Sequence, residues 1–366
     1  MNVRESKRLK VFSDRAYLSQ GQDHVAMLYP FWGKNPEDPG DPSSGRFDRY
    51  VEAGRGFFEM TTLENADVAV FPEAWEHVIG NVAAVARAER FLAMACRAKK
   101  ATVIFFWSDS NEGVPYNDTV VFRTSLYRSH RRRNEFAMPA WSEDFVERYL
   151  DGKLPLRQKR AKPVVGFCGY LLPPPQSRYH KMKSRLLLAW HVARSGTIHG
   201  CDHDPSRFIR AKALQILGRS HTVETNFLIR EHFLGGAWIP SEDVNWTDLQ
   251  RTRREYVQNI CGSDYVLCTR GGGNFSYRLY ETLSCGRIPV FVDTDCVLPY
   301  DSEIKWKDYC VWVDEKEVNR IGEKIAEFHE SLSDQQFVEL QRECRRLWES
   351  HLCPEGFFAN LHKHFR

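Results

Sequence analysis

The stretch of residues 264–300 constrains the fold more than any other part of the chain. It begins with the short apolar run Tyr265–Cys268, which predicts a buried strand. Three consecutive glycines at 271–273 follow, and such a run is costly inside a helix or strand. The segment 277–284 then predicts a helix, and a second apolar run at 288–292 predicts the next strand. This order predicts a parallel α/β unit with the glycine-rich loop at the carboxyl edge of the sheet, where ligands of such folds bind.

The residue types around this loop are typical of an anion-binding site. Glycines allow backbone N–H groups to approach phosphate oxygens, and a helix N-terminus, here predicted to be capped by Ser276, adds about half a positive charge. Arg270 and Arg278 supply planar guanidinium donors that suit phosphate. Glu281 follows Arg278 by one helical turn, so it faces the same way and can accept hydrogen bonds from a ribose. Although a glycine-rich loop alone also fits a plain turn, the combination predicts a nucleoside diphosphate site.

The stretch resembles the exostosin family of glycosyltransferases in Arg270, Gly271, Gly273, Ser276, Arg278 and Glu281 and in the segments CGRIPV (285–290) and LPY (298–300). The resemblance is specific over about residues 260–315. Arg287 departs from the family's commonest form, Gly-Cys-Ile-Pro-Val, and leaves the donor sugar open. The resemblance implies an α/β fold of the GT-B type, with two Rossmann-like domains whose parallel sheets face across a cleft. It also implies an inverting, metal-independent transfer from a nucleotide sugar, with UDP expected as the nucleotide, to an oligosaccharide or polysaccharide.

The nucleotide diphosphate contacts predicted from the loop and the resemblance are Arg270, Gly271, Gly273, Asn274, Ser276, Tyr277, Arg278 and Glu281. Arg178 and Arg185 are additional candidates, because they lie near the start of a basic helix predicted after a strand that ends in glycine. Such a helix could present a second set of donors to the pyrophosphate.

Length and composition fit a two-domain protein without a nucleic acid partner. The chain has 366 residues, of which 42% are hydrophobic, so two cores can form. The net charge of +3 is small, and the basic run at 128–133 lacks interleaved aromatic residues. We expect that run to be a solvated loop or a contact for an acidic substrate. The 10 cysteines contain no CxxC pair, which favours reduced, buried thiols. Because no run of 18 apolar residues occurs, we expect a cytoplasmic enzyme without a membrane span.

The alternation of strand and helix patterns predicts two helix-covered parallel sheets. We expect a first domain at 1–155, a charged linker at 151–162, and a nucleotide-binding domain at 160–345. The segment 346–366 is expected to carry a helix that returns to the first domain. In the first domain, the patterns predict a strand at 24–32, strands at 67–72, 102–107 and 120–125, and helices at 73–100 and 140–149.

An inverting transfer needs a base on the face of the sugar opposite the diphosphate. Asp109 is the first candidate, because it follows a strongly apolar strand pattern and so lies at the carboxyl edge of the first sheet. Glu73, after the strand pattern DVAVFP, is the second. Either carboxylate could instead be a helix cap or a turn residue.

Two segments compete with the metal-independent interpretation. Asp293 and Asp295 are spaced as a pair that can hold a metal against a diphosphate. The cluster HGCDHD at 199–204 carries metal-ligating residue types, but its local spacing is awkward for tetrahedral zinc. Two alternatives to a transferase also remain: a nucleotide-sugar epimerase of the same shape, and an inactive donor-binding subunit of a larger complex. An assay with and without acceptor distinguishes them.

Overall fold

The structure is a computed structural model that describes residues 8–171, 208–231 and 246–365, together with Met182, Leu186, Ala189 and Trp190 between the first two ranges. Its strands form two parallel sheets. The first sheet contains β1 (Leu9–Phe12), β2 (Phe58–Met60), β3 (Val68–Val70), β4 (Ala101–Phe106), β5 (Thr119–Arg123) and β6 (Glu135–Ala137). The second contains β7 (Val164–Tyr170), β8 (Glu224–Arg230), β9 (Tyr265–Cys268), β10 (Ile288–Asp293) and β11 (Val311–Asp314).

The two sheets share the same winding. Their strand orders are β2-β1-β3-β4-β5-β6 and, read from the opposite edge, β8-β7-β9-β10-β11, and every strand pair is parallel. In each sheet the order reverses between the first and third strands, which is the topological switch point where doubly wound folds bind ligands. The predicted fold of two Rossmann-like domains facing across a cleft, the GT-B architecture, is therefore confirmed.

Helices cover the sheets because their apolar faces pack on strands that are buried on both sides. In the first domain they are α1 (Tyr29–Trp32), α2 (Asp48–Ala53), α3 (Trp75–Val78), α4 (Val82–Arg97) and α5 (Phe145–Tyr149). In the second they are α6 (Ile209–Leu217), α7 (Trp246–Cys261), α8 (Tyr277–Ser284), α9 (Ile321–Ser331), α10 (Asp334–Leu347) and α11 (Pro354–Asn360). Among the described residues, no helix has both the length and the apolar character needed to cross a bilayer.

The central stretch folds as its pattern predicts. The helix α8 spans Tyr277–Ser284 with Ser276 as its N-cap residue, and Gly286 adopts a left-handed conformation (φ +60°) directly after the helix. The strand predicted at 288–292 is β10, which continues to Asp293. Local signals suffice here because the glycine, the cap position and the apolar runs all favour the same geometry.

Some predictions for the first domain are wrong. Residues 24–32 do not form a strand: a 3-10 turn over Ala26–Leu28 leads into α1, whose first turn contains Pro30. Proline is favourable in a first helical turn but cannot donate a hydrogen bond within a sheet. The helix predicted at 73–100 is divided into α3 and α4 at Gly80, whose φ is +77°. The helix predicted at 140–149 is only the short α5, capped by the Asp144 side chain.

After α10 the chain packs against the first domain. The Phe358 ring in α11 stacks on Tyr50 of α2 at 4.2 Å, and the Phe357 ring meets Phe122 of β5 edge-on at 5.8 Å. The domains also share an antiparallel bridge between Tyr127 and Cys296. These contacts fix the two sheets around one cleft.

Candidate active site

A cavity of about 390 Å³ lies in the cleft at the switch point of the second sheet. The end of β7 contributes Cys168, Gly169 and Tyr170, and the segment after β9 contributes Thr269, Gly271 and Gly272. The first domain supplies the opposite wall, with residues Ser43, Arg46, Asp109, Trp141 and Ser142. The position matches the rule that ligands of doubly wound sheets bind beyond the carboxyl ends of strands at the switch point.

The glycine-rich loop lies against the Asp109 loop of the first domain. A Cβ atom at Gly272 would clash with the Asp109 carboxylate, and one at Gly273 would lie 2.8 Å from the Asp109 Cα and 2.6 Å from the Phe275 ring. Gly271, in contrast, has open space on that side and lines the cavity. Two of the three glycines therefore allow close packing of the domains, and the third leaves room beside the cavity.

Hydrogen bonds from three directions hold the Asp109 loop in place. The Glu76 carboxylate accepts the Trp107 N–H at 3.0 Å, and the Thr124 hydroxyl bonds both the N–H and the carbonyl of Ser108. Arg123 donates to the Ser110 carbonyl at 2.8 Å. Asp109 itself is exposed to the cavity, and it is the only carboxylate that the described part of the first domain contributes to its lining. Its backbone is therefore fixed while its carboxylate remains accessible.

Two arginines lie side by side at the second-domain wall. The Arg278 guanidinium lies 4.4 Å from the Phe167 ring centre and donates to the Cys168 carbonyl at 2.9 Å. Arg210, in α6, donates to the Thr269 hydroxyl and to the carbonyls of Tyr170 and Arg270. Among the described residues, these bonds all go to neutral oxygens. Burial, and then the charge of Arg278, lower the pKa of Arg210 to about 10, so both groups remain cationic at neutral pH. The pair supplies two positive charges suited to a diphosphate.

The Glu281 carboxylate lines the cavity and already accepts hydrogen bonds from two side chains. One oxygen accepts from Arg253 of α7 at 3.0 Å, and the other accepts from the Tyr256 hydroxyl at 2.5 Å. Arg253 also donates to both oxygens of Glu143, at 2.8 and 2.9 Å. Because each carboxylate oxygen has two lone pairs, Glu281 can still accept hydrogen bonds from a ligand.

Tyr277 presents an aromatic face to the cavity. Its side chain contacts the first domain, because its hydroxyl accepts from the Trp107 indole N–H at 3.0 Å. The residue remains 41% exposed, which leaves ring surface open to a ligand. The Arg46 guanidinium lies 5.1 Å from the Trp107 ring centre and also faces the cavity.

The other predicted ligand contacts divide into two groups. Ser276 lines the cavity at the N-terminus of α8, and its side chain makes no capping bond there. Asn274 is fully buried between the domains: its N–H donates to Ser125, its amide nitrogen donates to the Leu126 carbonyl, and its amide oxygen accepts from Thr294. The Arg270 side chain donates to the Gly272 carbonyl and is not part of the cavity lining. Asn274 and Arg270 thus support the conformation of the glycine-rich loop without lining the cavity.

Glu73, the second candidate for the base, does not reach the cavity. Glu73 is buried within the first domain, where its carboxylate accepts from the Ser19 N–H at 2.9 Å and from the Ser19 hydroxyl at 2.6 Å. It is absent from the cavity lining. Arg178, Arg185 and the cluster at 199–204 lie outside the described residues.

Asp293 and Asp295 join the domains. Arg128 donates to Asp293 at 3.3 Å, and Asp295 accepts the Ser129 N–H at 3.0 Å. Asp293 also accepts the Cys296 N–H, and neither carboxylate lines the cavity. Arg128 belongs to the basic run at 128–133, so part of that run forms contacts between the domains. No cluster of three or more metal-ligating side chains occurs among the described residues.

Arg287, the departure from the family's usual pattern, is buried away from the cavity. It donates to the carbonyls of Pro155 and Cys261 and to the Gln341 side-chain oxygen. Burial lowers its pKa, and the surrounding carbonyl oxygens compensate for part of the lost hydration. This residue attaches the interdomain linker to the second domain.

Comparisons with known proteins agree with the resemblance in the central stretch. A family model described as the exostosin GT47 domain matches residues 105–328, which is more than half of the chain and begins within β4 of the first domain. Exostosin-1 of Drosophila melanogaster is 29% identical over 202 residues, covering 55% of this chain and 24% of the fly protein. The probable glucuronosyltransferase GUT1 of Oryza sativa subsp. japonica is 27% identical over 158 residues, covering 42% of this chain and 34% of that protein.

A shorter match and a solved structure complete the comparison. The probable beta-1,4-xylosyltransferase IRX10L of Arabidopsis thaliana is 40% identical over 63 residues, covering 17% of this chain and 15% of that protein. The crystal structure of TarM covers 72% of this chain and 55% of its own, with a TM-score of 0.30 and 9% identity. This chain therefore matches about a quarter of the fly relative and about a third of the rice relative. On the family model, which covers β5 and β6 of the first sheet, all of the second sheet and the glycine-rich loop, the chain belongs to the exostosin GT47 family of glycosyltransferases.

Proposed function

We propose that this protein is an inverting glycosyltransferase that moves a sugar from a UDP-sugar to a glycan acceptor. The observation that carries the proposal is the division of charge across the cavity. Two cationic side chains, Arg210 and Arg278, lie on the second-domain wall with the N-terminus of α8, and the Asp109 carboxylate lies on the first-domain wall. This arrangement suits a displacement in which the diphosphate leaves on one side and a base acts on the other.

In the proposed reaction, the acceptor hydroxyl attacks the anomeric carbon as the bond from that carbon to the β-phosphate oxygen breaks. Asp109 takes the hydroxyl proton. The electron pair of the breaking bond goes to the diphosphate, whose added negative charge is stabilised by Arg278, Arg210 and the backbone N–H groups at Ser276. A single displacement of this kind inverts the anomeric configuration.

The donor site is proposed to hold the nucleoside near Glu281 and the sugar near Tyr277. Glu281 retains acceptor capacity for ribose hydroxyls, and the exposed Tyr277 ring, oriented by Trp107, offers a flat apolar surface for the sugar. Because relatives of this chain are named as glucuronosyl- and xylosyltransferases, UDP-glucuronate and UDP-xylose are the first donors to test.

We also propose that the reaction requires no divalent cation. The support is that Asp293 and Asp295 make hydrogen bonds with Arg128, Ser129 and the Cys296 N–H. Turnover should therefore persist in EDTA. Activity abolished by EDTA and restored by manganese would show that a metal participates.

The deciding experiment is an NMR assay of a panel of nucleotide sugars with and without candidate oligosaccharides. Release of UDP that depends on the acceptor, with inversion at the anomeric carbon, supports the proposal. Conversion of the donor alone into an isomeric sugar would instead identify an epimerase. Donor binding without turnover on any acceptor would favour an inactive donor-binding subunit, and retained configuration would exclude the single displacement.

A further inference from the structure

Two adjacent acidic residues of the first domain, Glu143 and Asp144, are each held by an arginine of the second domain. Arg345 in α10 binds both oxygens of Asp144, at 2.7 and 2.8 Å. Arg253 in α7 binds both oxygens of Glu143, at 2.8 and 2.9 Å. Both pairs are bidentate, Arg345 through its two terminal nitrogens and Arg253 through Nε and one terminal nitrogen, and both connect the domains.

The two pairs differ in what lies on the far side of the arginine. Arg253 lines the cavity itself and also donates at 3.0 Å to Glu281, which is another lining residue. The additional bonds of Arg345 go to Glu349 and to the Ser284 carbonyl, and neither residue lines the cavity. Glu143, Arg253 and Glu281 therefore form a triad that runs from the first domain to the proposed donor site.

The triad lies among aromatic rings and is largely shielded from solvent. The Arg253 guanidinium lies 4.7 Å from the Phe145 ring centre and 5.5 Å from that of Tyr256. The side chains of Glu143, Arg253 and Glu281 are 3%, 16% and 6% exposed, so solvent screens their interactions little. Although burial acts to lower the pKa of Arg253, the charges of Glu281 and Glu143 raise it above its ordinary value. Arg253 is therefore a permanent cation shared between two carboxylates.

We propose that Arg253 is a positioning residue that orients Glu281 for the nucleoside and couples donor binding to the first domain through Glu143. The inference rests on the proposed function of the cavity. A ligand that forms hydrogen bonds with Glu281 draws on the same carboxylate that Arg253 binds, so donor binding shifts the balance of the Arg253 bonds between Glu281 and Glu143. The segment carrying Glu143 leads directly into α5, so this shift reaches the wall that presents Trp141 and Ser142 to the cavity.

The test compares Arg253→Lys with Arg345→Lys. Lysine keeps the charge in both variants but cannot make the bidentate bond, so each variant weakens one of the two domain-joining pairs. The first readout is UDP affinity by calorimetry. The second is the protection of α5 residues 145–149 from hydrogen exchange when UDP is added, since α5 does not line the cavity.

We expect Arg253→Lys to weaken UDP binding about 10- to 100-fold and to abolish the UDP-dependent protection of α5. Arg345→Lys should lower stability but leave both readouts as in the wild type. Glu143→Gln leaves Arg253 in place and provides a second variant: UDP binding should weaken less than about 5-fold, while the protection of α5 is lost. Thermal unfolding of each variant confirms that it is folded.

The outcomes separate this inference from the proposed function. If the wild type binds UDP and the two lysine variants behave alike, Arg253 only joins the domains and the inference is wrong. Retained α5 protection in folded Glu143→Gln would also overturn it. If the wild type binds neither UDP nor a UDP-sugar, the proposed function fails first and the inference fails with it.

Discussion

Replacing Glu76 with glutamine should stabilise the protein in a pH-dependent way. Glu76 lies in the first turn of α3, and its carboxylate accepts the Trp107 N–H at 3.0 Å beside the Asp109 loop. Burial raises the pKa of Glu76 from its ordinary 4.5 to about 7, although the backbone N–H groups of Glu76 and Trp107 act in the opposite direction. At 1.36 kcal/mol per pKa unit, this difference corresponds to about 3 kcal/mol in favour of the protonated form.

The sign follows from which state binds the proton more tightly. The folded protein does so, because its Glu76 has the higher pKa. The resulting stabilisation is fully present below about pH 4.5 and is lost as the pH rises through about 7. Glu76→Gln is neutral at every pH, and its side-chain oxygen can still accept the Trp107 N–H. Relative to the wild type, the variant should therefore gain about 2–3 kcal/mol of unfolding free energy between pH 5 and pH 8.

Urea unfolding of both proteins at pH 5 and pH 8 measures this difference. Glu112→Gln is the control, because Glu112 lies in the loop after β4 that Glu76 contacts but is exposed, and the substitution changes the charge by the same amount. We expect the control to shift stability by less than about 0.5 kcal/mol at either pH. The reasoning would be refuted if Glu76→Gln had the same effect at both pH values, or destabilised the protein more at pH 8 than at pH 5.

Three further predictions concern the cavity and the glycine-rich loop beside it. Asp109→Asn should lower kcat about 100- to 10,000-fold with UDP affinity nearly unchanged, because the substitution keeps the shape of the side chain and removes its basicity; near-normal turnover in steady-state kinetics would exclude Asp109 as the base. Glu281→Ala should weaken UDP binding by about 1–3 kcal/mol in calorimetry, because it removes acceptors for the ligand and leaves the Tyr256 hydroxyl without its partner. Unchanged affinity in a folded variant would show that Glu281 is not part of the site. Gly273→Ala should lower the free energy of unfolding by about 1–3 kcal/mol, because its Cβ would meet the Asp109 backbone and the Phe275 ring. The control is Gly271→Ala, whose Cβ points into open space and should leave thermal stability nearly unchanged. Equal melting temperatures for the two variants would contradict this assignment.

The local pattern of the sequence determines the second-domain unit that carries the site. The strand β9, the helix α8 and the strand β10 were all predicted within one residue of their bounds, because apolar period, cap position and glycine conformation act over a few neighbouring residues. The same pattern identifies Arg278, Glu281, Gly271, Ser276 and Tyr277, which line the cavity. Asp109 also reaches it, since the end of an apolar parallel strand lies at the edge where the cleft opens.

The sequence signals are weaker where the local pattern fits more than one backbone conformation. The apolar run at 24–32 fits a strand by composition, but Pro30 lies in a first helical turn. The strands β1, β2 and β6 span three or four residues each, which is too short for a periodic signal. Glu73 follows a predicted strand just as Asp109 does, yet its carboxylate points to Ser19 and away from the cleft.

Only the tertiary structure decides which charges meet. Arg210, Arg253 and Arg46 carry no local motif, and they join the site through contacts with residues that are distant in the sequence, such as Arg253 with Glu143 at a separation of 110 residues. The pairing of Arg128 with Asp293 and the burial of Arg287 among backbone carbonyls likewise depend on how the domains and the linker pack. A side chain's local pattern specifies its place on a helix or strand, but its electrostatic role depends on the partners that folding brings within hydrogen-bonding distance.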